Sequence, residues 1–410
     1  MSMPRPHPAP WWTQRPALLR YIADLVAGEL AALRHDPSIE PGAWTGSLSL
    51  QQDLGLDSLE LLHVAGVLAT ALGMQHSGVE DYLLARRSLG EWADLAATAL
   101  AHWDQEIVFG TSGSSGQPKR CVHELACLEQ EAAALASLFP GRRRLLVAVP
   151  SHHIYGFLFS HLLPRHLGLG PDDVLSVRAR LPGQLARYTQ PGDLVIGHPL
   201  FWEAVSTARA PFAPDVFGVS STAPCPDPVA AAAEEAGLAA LFQVYGSSET
   251  GGLGWRRTAR EDYRLFPYLA RGAGERGLLR AVPGGATISL QAQDALDWRG
   301  ARSFAVGARC DGALQVGGVN VFPERVREVL RAHPGVADAA VRLMRPDEGL
   351  RLKAFIVPHA GHGEAREDFV RELRAWVDAR LAVAERPKAF TFGSALPRTA
   401  MGKAADWSIA

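Results

Sequence analysis

The sequence predicts a multidomain chain: an all-α segment, then an α/β core, then a small α+β module. Three observations carry this reading. Apolar residues recur at helical spacing from Pro16 to about Leu100. From Asp104 onward, apolar β-like runs alternate with helical stretches, the pattern of a layered sheet with a largely parallel core. After about residue 311 the pattern changes again, to short strands interleaved with two helices. The chain has 410 residues, enough for about two to three domains. The expected boundaries are a flexible Pro-rich tail over 1–15, a helical domain over 16–103, the core over 104–310 and a C-terminal domain over 311–410.

Each element has its own signal. Leu18, Leu19, Ile22, Leu25, Val26 and Leu30 form one helical stripe, and Leu61, Val64, Leu68 and Leu72 form another after a Pro-, Gly- and Ser-rich loop. Shorter segments near 79–84 and 89–100 complete a four-helix unit of roughly 85 residues. Trp11 and Trp12 either belong to the tail or dock on the next helix, and docking is favoured. In the core, EIVFGT, RRLLVAVP, GDLVIG, PDVFGVSS and AALFQVYG read as strands, and HELACLEQEAAALASLF and PDPVAAAAEEAG as helices. In the last module, LKAFIVP and KAFTFGSAL read as strands and DFVRELRAWVDARL as a helix.

Composition excludes several classes. Apolar residues make up 47% and charged residues 20%, a globular balance. Forty-one basic against forty-three acidic residues leave a net charge of −2, so no basic field argues for nucleic acid. Cys121, Cys127, Cys225 and Cys310 form no CxxC pair and suit neither a zinc site nor a disulfide framework. There is no 18-residue apolar run and no signal-peptide core at the N-terminus, which makes the cytoplasm the expected location.

The strongest chemical signal runs from Ile107 to Lys119, IVFGTSGSSGQPK. A strand enters a loop of Gly, Ser and Thr that ends on a lysine. Glycines let backbone N–H groups approach a phosphate, hydroxyls add donors, and the lysine adds charge. The spacing does not fit a Walker A loop. A flexible Ser/Gly linker is the bland alternative, which the flanking strand and the Pro-Lys disfavour.

TSGSSGQPK resembles the phosphate loop of the acyl-adenylate-forming superfamily, whose members include acyl- and aryl-CoA ligases, luciferases and peptide-synthetase adenylation domains. The resemblance implies nucleotide binding by Thr111, Ser112, Gly113, Ser114, Ser115, Gly116 and Lys119. Further motifs follow in the family's order. Gln243–Thr250, QVYGSSET, resembles its YGxTE segment. That implies Tyr245 against the adenine, with Gly246 beside it, Ser248 at the phosphate, and Glu249 as a catalytic and Mg²⁺-holding carboxylate. Ser221-Thr222-Ala223-Pro224 resembles the adenine-side segment. Asp294 and Arg309 stand at the family's spacing for the ribose hydroxyls, with Asp297 a competitor for the first role. Arg309–Pro323 resembles the hinge and the thiol-channel loop, implying Asp311 as hinge residue and Gly317 and Gly318 in the channel. Leu396–Lys403 resembles the C-terminal catalytic-lysine motif and gives that role to Lys403. PSHHIYG, residues 150–156, resembles the aromatic/His motif and places His153 between the acyl pocket and the thiol channel. The alternative, a satisfied core histidine, is the reading kept for His152, His161 and His166.

DLGLDSLE, residues 53–60, resembles an acyl-carrier-protein site, which implies phosphopantetheine on Ser58 and a carrier-like helical domain. The alternative is an ordinary helix start, with Asp57 as N-cap and Glu60 closing a capping box. With only about 110 residues ahead of the phosphate loop, the adenylating core is expected to be N-terminally truncated relative to the family. The resemblance implies an ATP- and Mg²⁺-dependent, AMP-forming ligase. It would adenylate a carboxylic acid, an aryl acid such as a hydroxybenzoate, and pass the acyl group to a 4′-phosphopantetheine thiol on a carrier, its own or one in trans. Free CoA as acceptor and a non-catalytic carrier or scaffold are the alternatives.

Overall fold

A computed structural model describes residues 8–36, 38–42, 44–111, 119–209, 211–310, 312–317, 319–345, 348–349, 351–359, 366–398 and 405–409. The chain forms two compact units: residues 1–111 with 120–307, and residues 112–119 with 308–410.

The first unit opens with α1 (Arg15–Leu33), α2 (Ser58–Ala71) and α3 (Leu89–His102). Pro16 stands in the first turn of α1, where its missing N–H is no loss. Asp57 caps α2 and Ser88 caps α3, each within a full capping box. The segment near 79–84 is a 3₁₀ turn, Glu80–Ala85, so the helical part holds three α-helices among its described residues rather than four. Next come the two-stranded sheet of β1 (Glu106–Thr111) and β2 (Lys119–Glu124), then α4 (Leu125–Ala136), β3 (Arg144–Val147), α5 (Ile154–Phe157), a π-turn, and α6 (Leu163–Leu167). They are followed by β4 (Val174–Ser176), α7 (Pro182–Tyr188), β5 (Asp193–Gly197), α8 (Pro199–Thr207), β6 (Phe217–Ser220), α9 (Asp227–Glu235) and β7 (Ala240–Ser247).

The central sheet has nine strands. Its order also takes in β8 (Gly251–Arg256), β9 (Tyr263–Leu265), β13 (Asp294–Trp298) and β14 (Ser303–Arg309), and reads β13-β14-β9-β8-β7-β6-β5-β3-β4. Strands β4, β3, β5, β6 and β7 are parallel, the core that strand–helix alternation predicts. The alternation says nothing of the antiparallel half, in which β8 pairs with β7 and β9, and β14 with β9. Strands β10 (Leu269–Arg271), β11 (Gly277–Ala281) and β12 (Thr287–Gln291) form a small sheet of their own. Successive residues of the parallel strands bury in opposite layers. Leu145, Leu194 and Phe242 join one core, and their neighbours Leu146, Val195 and Leu241 join another beneath α7, α8 and α9.

The first of these cores also contains the buried faces of α1, α2 and α3. The helices expected to stand apart as a carrier-like domain therefore share one core with the sheet. No boundary of compact units falls at residue 104. Polar contacts reinforce the join. Asp24, buried in α1, accepts the Ser151 N–H at 2.8 Å and pairs with Arg178 at 2.6 Å. Arg20 donates to the Pro171 carbonyl. The expected tail is also corrected over its described part. Trp11 is buried, edge-on to Tyr21 of α1 and to Phe157 of α5, so its docking reaches the core as well as the next helix.

The second unit has its own core, in which Val326, Leu330, Ala354, Ile356, Phe369 and Leu373 meet. It contains β15 (Leu314–Val316), β16 (Val319–Val321), α10 (Pro323–Arg331), β17 (Val336–Leu343), β18 (Leu352–Pro358), α11 (Arg366–Asp378) and β19 (Ala389–Phe392). β18 is the centre of a three-stranded sheet, antiparallel to β17 and parallel to β19. This is the α+β pattern read from the sequence. Among the described residues, no helix is long and apolar enough to cross a membrane.

Candidate functional site

In an open α/β sheet, ligands gather beyond the carboxyl ends of the parallel strands. The expected residues Thr222, Ala223, Pro224, Tyr245, Gly246, Ser248 and Glu249 lie at or just past the ends of β6 and β7. β6 ends at Ser220, and the chain turns through Ser221 and Thr222. Ser221 Oγ donates to the Val244 carbonyl of the neighbouring strand at 2.8 Å. Thr222 is exposed and adopts φ +79°, a conformation a β-branched residue takes only under constraint. Ala223 and Pro224 complete the turn.

β7 ends in YGS. Tyr245 Oη donates to Asp294 Oδ2 at 2.7 Å, which brings together the residues expected at the adenine and the ribose. The other candidate aspartate makes no such contact among the described hydrogen bonds. Asp297, the competitor, is exposed and pairs with Arg299. The Tyr245 ring is held by Tyr263 and Phe304, each 5.7 Å away between centroids. Gly246 is obligatory, since a Cβ there would lie 2.2 Å from the Gly251 carbonyl oxygen.

The turn from Ser247 to Gly251 carries Ser248 and Glu249, both partly exposed. Ser247 and Thr250 hydrogen-bond to each other across it. Two further supports have no motif signal in the sequence. His123 of β2 donates from Nε2 to the Ser248 carbonyl at 2.6 Å, and burial pushes its pKa down, so it sits there as the neutral imidazole. Glu131 of α4 is buried and accepts the Gly252 N–H at 2.8 Å, while Tyr268 Oη donates to the Gly252 carbonyl at 2.9 Å. Two side chains thus hold Gly252 of β8 through both its backbone polar groups. A Cβ at Gly252 would lie 2.4 Å from the Glu131 carboxylate, which explains the paired glycines after Thr250. Burial pushes the Glu131 carboxyl up to about 7, against the opposing pull of Arg280 and the Gly252 N–H. Only the apolar spacing of α4 could be read at Glu131, and it marks a buried position without a role.

His152 and His153 part company. His152 packs its ring on Gly28 of α1, whereas His153 is exposed at the start of α5. The crowding of protein around His153 still disfavours its charged form. His161 is fully buried among Trp11, Tyr21 and Phe157, and His166 pairs with Glu129. His166 matches the satisfied, structural reading; His161 is structural by its burial, but neither of its ring nitrogens has a hydrogen-bond partner among the described residues. Ser58 is exposed at the first turn of α2. Its surroundings match the helix-start reading: Asp57 accepts the Leu59 and Glu60 N–H groups, and Arg34 grips Glu60 together with the Leu54 and Gly55 carbonyls.

Lys119 and Arg309 fall in the second unit, as does Gly317, whose φ of +62° marks the β15–β16 turn. Ser112, Gly113, Ser114, Ser115, Gly116, Asp311, Gly318 and Lys403 lie outside the described residues, as does the side chain of Thr111. No cluster of three metal-ligating side chains occurs among the described residues. A single protein carboxylate is enough for Mg²⁺ beside a nucleotide, because that ion takes most of its ligands from phosphate and water. A groove of about 610 Å³ lined by Ser137, Leu138, Trp255, Arg264 and Arg302 contains none of the expected site residues.

A mixed sheet followed by a separate α+β unit is also the fold of solved synthetases. The o-succinylbenzoate CoA synthetase of Bacillus subtilis has this fold, at TM-score 0.61 and 18% identity over 97% of both chains. So does the amide bond synthetase McbA of Marinactinospora thermotolerans, at TM-score 0.58 and 19% identity over 94% of this chain and 92% of that one. Residues 326–403 match the AMP-binding enzyme C-terminal domain. The 4-coumarate–CoA ligase of Halorhodospira halophila is 38% identical over 94% of this chain and 97% of its own. That of Rhodobacter capsulatus is 38% identical over 95% and 99%. The chain belongs to the AMP-forming acyl- and aryl-CoA ligases of the acyl-adenylate-forming superfamily.

Proposed function

We propose that this enzyme is an aryl acid–CoA ligase that takes 4-coumarate or a close hydroxycinnamate. The observation that carries the reading is the near-full-length similarity to proteins named 4-coumarate–CoA ligase. It moves the acid from the hydroxybenzoates expected first to the hydroxycinnamates, and the acceptor from a carrier arm to CoA. The shared core of α1, α2 and α3 with the sheet supports CoA too, because an acyl-carrying arm needs a mobile carrier.

A carboxylate acylates poorly because oxide is a poor leaving group. In the proposed reaction a carboxylate oxygen bonds to the α-phosphorus of ATP and pyrophosphate leaves. The CoA sulfur then bonds to the acyl carbon, its proton is lost and AMP departs. Tyr245 and Asp294 would hold the nucleoside, Asp294 accepting from the ribose while Tyr245 fixes its orientation. The Ser247–Gly251 turn would present Ser248 and Glu249 to the phosphates, in a geometry set beforehand by His123 and Glu131. Mg²⁺ bound near Glu249 would offset charge on the phosphate oxygens. Lys403 would add a positive charge at the α-phosphate during adenylation, and His153, neutral and exposed, would border the acyl group.

The test is acid-dependent ATP–pyrophosphate exchange across coumaric, cinnamic, benzoic and fatty acids, followed by AMP release with CoA. Exchange confined to hydroxycinnamates, with CoA-dependent thioester formation, supports the reading. Exchange with fatty acids alone, or thioester found on Ser58 and none on CoA, refutes it.

A further inference from the structure

β18 is the central strand of the second unit's sheet, and Lys353 within it has no exposed side-chain surface. A lysine there is costly, since an ammonium leaving water loses several kcal/mol that an apolar residue would not. Its three donors are all used: on Glu348 Oε2 at 2.8 Å, on Asp406 Oδ1 at 3.1 Å, and on the Trp407 carbonyl. Two of these partners belong to residues 405–409. The same short segment is gripped elsewhere. The Trp407 ring is buried against Phe355 and lies 5.3 Å from Nζ. Arg345 reaches Asp406 and Ser408 at 3.3 Å, and the Ile409 N–H donates to Glu348. The Ala405 N–H donates to the Pro397 carbonyl, which ties the segment of residues 405–409 back to the chain ahead of it. A fully paired buried ammonium fixes one register of the segment it holds, which apolar packing does less strictly.

We propose that Lys353 is a positioning residue for adenylation: it fixes residues 405–409, the segment that follows Lys403 in sequence. The proposal rests on Lys403 being the adenylation lysine, and the experiment separates the two. Lys353→Met, Asp406→Asn and Lys403→Ala are each assayed in the full chain for both half-reactions. Adenylation is read by ATP–pyrophosphate exchange with coumarate, and thioester formation by CoA attack on pre-formed coumaroyl-AMP. Lys353→Met is expected to lower exchange at least 10-fold while thioester formation stays within about 2-fold. Asp406→Asn, which leaves Lys353 and Glu348 paired, is expected to lower exchange about 3-fold with the same selectivity, and it decides the matter if Lys353→Met does not fold. Loss of both half-reactions in proportion, or of neither, overturns the positioning role. Retention of exchange in Lys403→Ala overturns the reading of Lys403 instead.

Discussion

Tyr245 and Asp294 are 49 positions apart, on β7 and β13, yet the tyrosine hydroxyl donates to the aspartate at 2.7 Å. Five other strands intervene in sequence. The pair makes a specific demand on ATP binding. Asp294→Ala is expected to raise the KM for ATP about 10-fold in pyrophosphate exchange, roughly 1.4 kcal/mol of lost binding. Tyr245→Phe should have a smaller effect in the same direction, and Asp297→Ala none. Equal effects of the two aspartate changes would return Asp297 to contention.

Glu131 ties pH to stability. Burial raises its carboxyl from 4.5 to about 7, so the folded chain keeps a proton that the unfolded chain releases. The resulting stability is fully present below about 4.5 and is lost as pH rises through 7. Glu131→Gln removes that loss. In urea titrations the variant should match the wild type near pH 5 and exceed it at pH 8, by up to about 3 kcal/mol. A variant less stable at both pH values would mean that the carboxylate's hydrogen bond to Gly252 outweighs its desolvation.

His123 holds the Ser248 carbonyl with one N–H. His123→Ala is expected to lower kcat for exchange about 10-fold, because it frees the turn that bears Glu249. His123→Gln, which can restore a donor, should recover part of that loss. Identical rates in all three proteins would remove His123 from the site.

Asp24 joins α1 to the rest of the first unit through Arg178 and Ser151. Asp24→Ala leaves a partly buried guanidinium without this partner and is expected to cost about 3 kcal/mol. Unfolding followed by tryptophan fluorescence and by circular dichroism should shift together. A separate early transition would mean that the helices melt as their own domain.

Ser58→Ala should leave CoA-dependent ligation unchanged and cost little stability, since the cap is supplied by Asp57. A phosphopantetheine transferase should add no mass to the wild type. An added arm that is lost in the variant would restore the carrier reading.

Four of the five parallel strands and both helical stripes were legible because their apolar patterns are strong and local, whereas β4, three residues long, gave no signal. The roles proposed for Tyr245 and Asp294 come by resemblance, whereas the hydrogen bond between them, across 49 positions, has no signal in the sequence. DLGLDSLE is ambiguous because a capping box and a carrier motif use the same letters, and the packing of α2 into the common core supports the helix-start reading. His123, Glu131 and Tyr268 were silent because each acts on backbone atoms far off in sequence, which leaves no spacing to read.

The division of the chain has a bearing on recombination with related ligases. A crossover placed near residue 104, where the composition changes, would cut through a continuous core and strand Asp24 and Trp11 against foreign surfaces. A crossover after Gly307 would leave each compact unit with its own parentage, apart from the short 112–119 segment. Chimeras with related ligases are therefore best spliced there, with the N-terminal helices inherited alongside the sheet.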